Sequence, residues 1–257
     1  MHTTARHHVA NSCLVGLMFI ALLSGGLPAD AKNAQPSTVA KAAAKIDCLV
    51  LEQTSHYGGE QTIWLAPNAV RTYSKKNHVY VLTKAPDWKV FVFSEKRKVI
   101  FTAPLQKWQG GNIQGLAQYF GRVWDFYDWS KSGSQKYAGL NANKYLQGKL
   151  KKGIATPEHF TIEGEFLTYE EFKQDPNIVT FLRKLHTVPS LGSIPLFLRA
   201  AHSKTDPPKI DLETSRVRRE KIDAGLFIAP TKYKNVKLEN DVYTDDAMQG
   251  LMEDLNN

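Results

Sequence analysis

Across residues 60–104 the apolar positions of the chain fall in short runs separated by polar turn segments. They read Glu60-Gln-Thr-Ile-Trp-Leu-Ala, Ala69-Val-Arg-Thr-Tyr, His78-Val-Tyr-Val-Leu-Thr, Trp88-Lys-Val-Phe-Val-Phe and Lys98-Val-Ile-Phe-Thr-Ala, each bounded by turn-forming residues. Runs this short, rich in β-branched and aromatic residues, predict an antiparallel meander. With Pro67-Asn68 as a two-residue loop, Leu65 pairs with Val70 and Trp64 with Arg71, and loops at 75–78, 84–87 and 95–97 carry the pairing onward. One face then collects Ile63, Leu65, Val70, Val79, Val81, Val90, Val92 and Ile100. The other collects Trp64, Tyr73, Tyr80, Leu82, Phe91, Phe93, Val99 and Phe101. A sheet wet on one side is polar there, whereas this one is apolar on both, so both faces need cover. Helices can supply one cover, and the second calls for further chain or a ligand.

The remaining pattern supplies the other elements. Ile46-Asp-Cys-Leu-Val-Leu-Glu-Gln-Thr opens the sheet, and residues 32–45 form a tether that can turn into a short Ala-rich helix capped by Ser37 or Thr38. Over 112–124, Ile113, Leu116, Ala117, Phe120 and Val123 fall at helical spacing, with an aromatic end, Trp124-Asp-Phe-Tyr-Asp-Trp129. Strand character returns at 137–150 and at 159–168. A second helix is expected over 176–186, with Pro176 in its first turn and Ile178, Phe181, Leu182 and Leu185 on its apolar side. Later strands are expected at 192–199, 209–217 and 226–228, and a C-terminal helix over 244–255. No repeat of fixed length is seen. The fold class is α+β, mainly β: a curved antiparallel sheet forming an unclosed barrel with helices packed against it.

At the N-terminus, Arg6 among His residues, an apolar run from Cys13 to Leu23 and the Ala29-Asp-Ala31 cleavage pattern read as a secretory signal over 1–31. The run is too short to span a bilayer. A lipoprotein anchor needs a Cys after such a run, and Cys13 opens it. The product is therefore expected to be soluble in the periplasm or outside the cell, as one domain over 46–257. Of the two Cys only Cys48 survives cleavage, which leaves no intrachain disulfide.

A net charge of +8 and a pI near 9.3 suit anionic partners such as a membrane or envelope surface, and the export signal disfavours nucleic acid. Lysines on hairpin tips and edges also block edge pairing. Five His remain after cleavage, His56, His78, His159, His186 and His202, none at metal-ligand spacing, and no cofactor is implied. There is no nucleophile elbow and no phosphate-cradling Gly loop. Glu163 and Glu165 share one strand face and imitate a glycosidase pair, but two Glu two apart are more often a solvated edge.

Three segments, Ala138-Gly-Leu-Asn-Ala-Asn-Lys-Tyr145, Pro189-Ser-Leu-Gly-Ser-Ile-Pro-Leu196 and Leu226-Phe-Ile-Ala-Pro-Thr-Lys-Tyr-Lys-Asn-Val236, together resemble exported proteins with the fold of the bacterial outer-membrane lipoprotein carriers, the LolA/LolB-like fold. The resemblance implies an unclosed barrel around helices, with an apolar cavity that takes acyl chains. No motif places the carriers' lid-holding arginine here, and Arg71 beside Trp64 is the candidate. The expectation is a monomeric, non-enzymatic binder of a lipid, acyl chain or lipoprotein, with Trp64, Arg71, Tyr73, Tyr80, Leu82, Phe91, Phe93 and Phe101 lining the site. The alternatives are a structural or partner-binding envelope protein with no small ligand, and a hydrolase.

Overall fold

The computed structural model describes residues 44–56, 58–110, 123–153, 163–201 and 207–244. The chain divides between Lys41 and Ala42, and all described residues follow that point. The expected signal, the tether helix, most of the 112–124 helix, the start of the 159–168 strand and all but the first residue of the C-terminal helix lie outside the described residues.

Among the described residues twelve strands form one open sheet: β1 (Lys45–Ser55), β2 (Gly59–Ala66), β3 (Ala69–Ser74), β4 (Val79–Lys84), β5 (Lys89–Ser94), β6 (Val99–Pro104), β7 (Tyr127–Tyr137), β8 (Leu140–Leu150), β9 (Glu163–Tyr169), β10 (Ile194–Ala201), β11 (Lys209–Asp223) and β12 (Lys234–Asn235). Their order is β12-β6-β5-β4-β3-β2-β1-β11-β10-β9-β8-β7, so the long β1–β11 pair joins two runs of hairpins. Pairing is antiparallel except between β12 and β6. At the junction, buried Gln53 on β1 donates from Nε2 to Pro195 O (2.9 Å) and Thr214 Oγ1 (2.8 Å), and the Thr214 hydroxyl donates to Leu196 O. These bonds satisfy polar groups the core would otherwise strand.

The turns between β3 and β6 are built alike. Each occupies four residues, and His78, Trp88 and Lys98 close them in the left-handed region, at φ 52°, 47° and 55°. Trp88 N bonds Lys84 O and Lys98 N bonds Ser94 O; Trp108 N does the same to Pro104 O after β6. Strands β4, β5 and β6 therefore start ten residues apart, at Val79, Lys89 and Val99, a repeat that the apolar pattern concealed.

This turn geometry corrects one face assignment. Pairing holds as expected from Leu65–Val70 and Trp64–Arg71 through Tyr73–Tyr80 and Val81–Thr72. The β4–β5 turn sits at 85–88 instead of 84–87, which shifts partners by two and leaves the faces intact. The β5–β6 turn holds four residues instead of three, so Phe93 pairs with Ile100 and Val92 with Phe101. Ile100 belongs to the aromatic face, and Val99 and Phe101 to the aliphatic one. Lys98 adopts a positive φ without the glycine that would have marked it.

Two further corrections concern element type. The region 127–150 is a hairpin of two strands, β7 and β8, joined by a turn at Ala138 and Gly139 with φ 48° and 83°, the geometry of a two-residue hairpin loop. Residues 224–227 form a 3-10 turn where a strand was expected.

The aliphatic face carries the main core. Leu49, Leu51, Ile63, Leu65, Val90 and Val92 meet Ile178, Phe181 and Leu182 of α1 (Pro176–His186). Each such side chain contributes about 1.5–3 kcal/mol on burial. Asp175 caps α1 by accepting from Asn177 N (2.9 Å), Pro176 sits in its first turn, and Thr187 at φ 54° ends it. The last turn is tied to the turn after β6: Lys184 Nζ donates to the carbonyls of Leu105, Gln106 and Trp108 at 2.8, 2.9 and 2.8 Å. Burial, then Arg183, lowers the pKa of Lys184. Gly110 passes so close that a Cβ there would lie 2.1 Å from Lys184 O. A second short helix, α2 (Asn240–Tyr243), closes the described chain.

Candidate functional site

The aromatic face of β2–β6 holds the residues singled out from sequence, apart from Phe101. Cross-strand pairing sets Trp64, Arg71, Leu82 and Phe91 in one row and Tyr73, Tyr80, Phe93 and Ile100 in the next. Rings follow one another across the strands: Tyr73 to Tyr80 at 4.6 Å between centroids, Tyr80 to Phe93 at 5.3 Å. Phe101 faces α1's side and packs against the main core.

The chain itself lies over this face. After β11 the segment 224–233 crosses it, and Leu226, Phe227, Ala229 and Tyr233 pack with Leu82, Phe93 and Ile100 in one cluster. Phe227 is buried, and Tyr233 meets Phe93 edge-on at 6.2 Å. The segment is fastened at its ends. Ala224 N bonds Ala44 O; at the far end Lys234 N bonds Lys98 O and Val236 N bonds Ile100 O, which makes β12.

Arg71 is the central fastening. Its guanidinium lies over Tyr80 at 4.1 Å and Phe93 at 5.3 Å, donates to Leu226 O at 2.9 Å and reaches Glu95 at 3.3 Å. The positive charge against ring faces and the bond to a strap carbonyl let a buried arginine hold the cover down. Lys98 secures the other end, 5.1 Å above the Tyr233 ring. Burial, then Glu95, raises the Tyr80 phenol pKa. Arg71→Met keeps the stem and removes the donors. It is expected to lower stability by about 1–3 kcal/mol and to speed amide exchange over 226–229; unchanged exchange there would show that Arg71 does not hold the strap.

Other candidate residues fall elsewhere. Cys48 is buried beneath the aromatic face, and burial, then Asp47 and Glu220, pushes its thiol up to about 11, so it is an inert core group. The Glu165 carboxylate is held by Lys144 at 2.8 Å and Arg199 at 3.0 Å, the arrangement of a surface ion-pair network. Among the described residues no group of His, Cys, Asp and Glu gathers to hold a metal. An open depression of about 260 Å³ sits beside α1, lined by Gln174, Thr180, Arg183 and Ser190 among others. Arg183 there is engaged by Asp125.

Sequence reasoning missed the strap, because its residues lie more than 120 positions from the strands they cover, and it missed His186. That side chain is buried at the end of α1 with neither ring nitrogen partnered. Burial alone drives its pKa down to about 3.

No protein-family model matches the chain, and a search of curated proteins finds no match. Solved structures do. An uncharacterized conserved protein from Thermus thermophilus is similar at 10% identity and a TM-score of 0.40, over 74% of this chain and 90% of that one. The MucA/MucB complex of Pseudomonas aeruginosa is similar at 13% identity and 0.35, over 76% of this chain and 58% of that one. A LolA superfamily protein from Nitrosomonas europaea is also among them, at 8% and 0.21, over 80% and 92%. The likeness to these structures concerns the fold alone.

Proposed function

We propose that the protein is an exported, non-catalytic binding protein of the cell envelope that meets an anionic partner with its outer surface. The observation that carries this reading is the strap. Segment 224–233 already lies where an acyl chain would lie on the aromatic face, with Phe227 buried against Leu82 and Phe93. What the chain offers outward is charge, with 33 Lys and Arg against 25 Asp and Glu. A positive surface draws anionic partners and gives salt-dependent association.

A second reading keeps the lipid. The strap is fastened at its ends and by Arg71 at Leu226, whereas Ile228 near its middle is 61% exposed. An acyl chain could take its place on the ring row by the same apolar burial. Native mass spectrometry after mild extraction, run beside pull-down from envelope fractions at low and high salt, separates the two. A clean apo mass with salt-sensitive capture supports the first. A retained acyl species supports the second. An apo mass with no capture at any salt overturns both.

A further inference from the structure

Among the described residues strand β7 ends the sheet. It pairs with β8 on one side, and among the described residues no strand pairs with its other side. From Ser130 to Lys136 every residue is exposed. An edge strand of this length carries a row of backbone donors and acceptors that a further strand could use.

The charge on this ribbon is one-sided. Between 127 and 153 the chain has Lys131, Lys136, Lys144, Lys149, Lys151 and Lys152 against Asp128. Lys144 is engaged by Glu165, and Lys151 reaches Asp125 O. Lys131 and Lys136 have no ion-pair partner among the described residues.

A bulge sets where those two lysines point. Side chains five apart in a regular strand lie on opposite faces. Here the register shifts between Lys131 and Gly133, so Lys131 pairs with Tyr145 and Lys136 with Asn141. Tyr145 and Asn141 are four apart on β8 and share a face, so Lys131 and Lys136 share one too. Their separation along the strand is on the order of 13 Å.

We propose that the outer edge of β7 takes an acidic, extended polypeptide segment by strand addition, with carboxylates four residues apart on one of its faces meeting Lys131 and Lys136. This inference rests on the anionic-partner reading above and names its place and mode. Lysines and bulges on an edge also repel a second copy of the same strand. A chain with the opposite charge at matching spacing escapes that repulsion. A membrane surface would use the lysines but not the backbone edge.

The test uses the full exported chain and labelled decapeptides of alternating Thr and Val, followed by fluorescence anisotropy. One peptide carries Glu at i and i+4, one at i and i+3, and two carry the i, i+4 pattern with N-methylation on one backbone edge or the other. The i, i+4 peptide is expected to bind about two- to fivefold tighter than the i, i+3 peptide, the range for one solvent-exposed charge pair. One N-methylated version should lose binding, and so should Lys131→Glu with Lys136→Glu. Hydrogen exchange on the complex should slow at alternate amides of 130–136 and nowhere on β4 or β5. Deleting Ser132 removes the bulge and leaves the two lysines four apart in a regular strand, still on one face, so the i, i+4 preference should persist; a reversed preference in a variant whose exchange pattern in β1–β6 is unchanged would overturn the shared-face placement. Equal binding of both N-methylated peptides overturns strand addition. Binding to phosphatidylglycerol vesicles without binding to any peptide overturns the inference while leaving the anionic-partner reading intact. No binding to vesicles or peptides overturns both.

Discussion

Replacing Trp108 with Ala is expected to remove about 4 kcal/mol of stability, a large share of the roughly 5–15 kcal/mol by which a folded domain is held. Trp108 is 1% exposed, and its ring stacks on Phe181 of α1 at 5.0 Å with the planes 10° apart. Ala would leave a cavity at the contact joining the end of β6 to α1. The indole also donates from Nε1 to Glu239 Oε2 at 3.1 Å. Glu239 is a buried carboxylate that also receives the Tyr243 hydroxyl, whose pKa is raised first by burial and then by Glu239. Trp108→Phe keeps most of the stack and removes the donor, so it should lose about 1–3 kcal/mol, the range for a buried group that loses a partner. Urea unfolding of both variants measures the two losses. A Trp108→Ala loss below that of Trp108→Phe would show that packing against Phe181 contributes less than the indole hydrogen bond.

Stability is expected to fall as pH drops below about 6.5, and His186 is the reason. Its ring is fully buried and its pKa falls from 6.5 to about 3 through desolvation. The unfolded chain therefore takes a proton below 6.5 that the folded chain refuses until about pH 3. The contribution of neutral His186 is complete above the unfolded value and is lost progressively through that window. At pH 4.5 the loss reaches about 2.7 kcal/mol, from 1.36 kcal/mol per pH step. His186→Leu should be neutral or stabilising at pH 7, because neither ring nitrogen has a partner to lose. The same variant should flatten this part of the acid limb, and the difference between its denaturation midpoints and those of the parent across pH 4–7 isolates the histidine from carboxylates that titrate nearby. Parallel curves would place the proton elsewhere.

Much of the first hairpin run was legible because its signals are local. Pro67 and Asn68 fix a two-residue turn, and alternation then carried the faces through β5. Helix α1 matched its expected span, since Asp175, Pro176 and an apolar stripe specify it together. The slip at β6 has a backbone cause: Lys98 closes its turn at φ 55°, and nothing in a lysine announces that. Strand β7 went unread because Ser130 to Lys136 is polar and exposed on both faces, leaving no alternation to see. Seven of the eight proposed site residues do share a face, yet the cover over them comes from 224–233, and no local pattern could show where that distant segment would return. His186 was hidden by type: a polar residue at the end of an apolar helix stripe reads as solvent-facing, and tertiary packing buried it.

The equal turns of β4, β5 and β6 bear on how this sheet can change width. A step of ten residues reverses strand direction and exchanges the two faces, whereas twenty restores both, as Val79 and Val99 each open a strand on the α1 side. Gain or loss of one twenty-residue up-and-down unit would preserve the parallel docking of Lys234 and Asn235 at the rim. Gain or loss of ten would present that rim with a strand running the wrong way. The sheet is thus built to grow or shrink by pairs of strands.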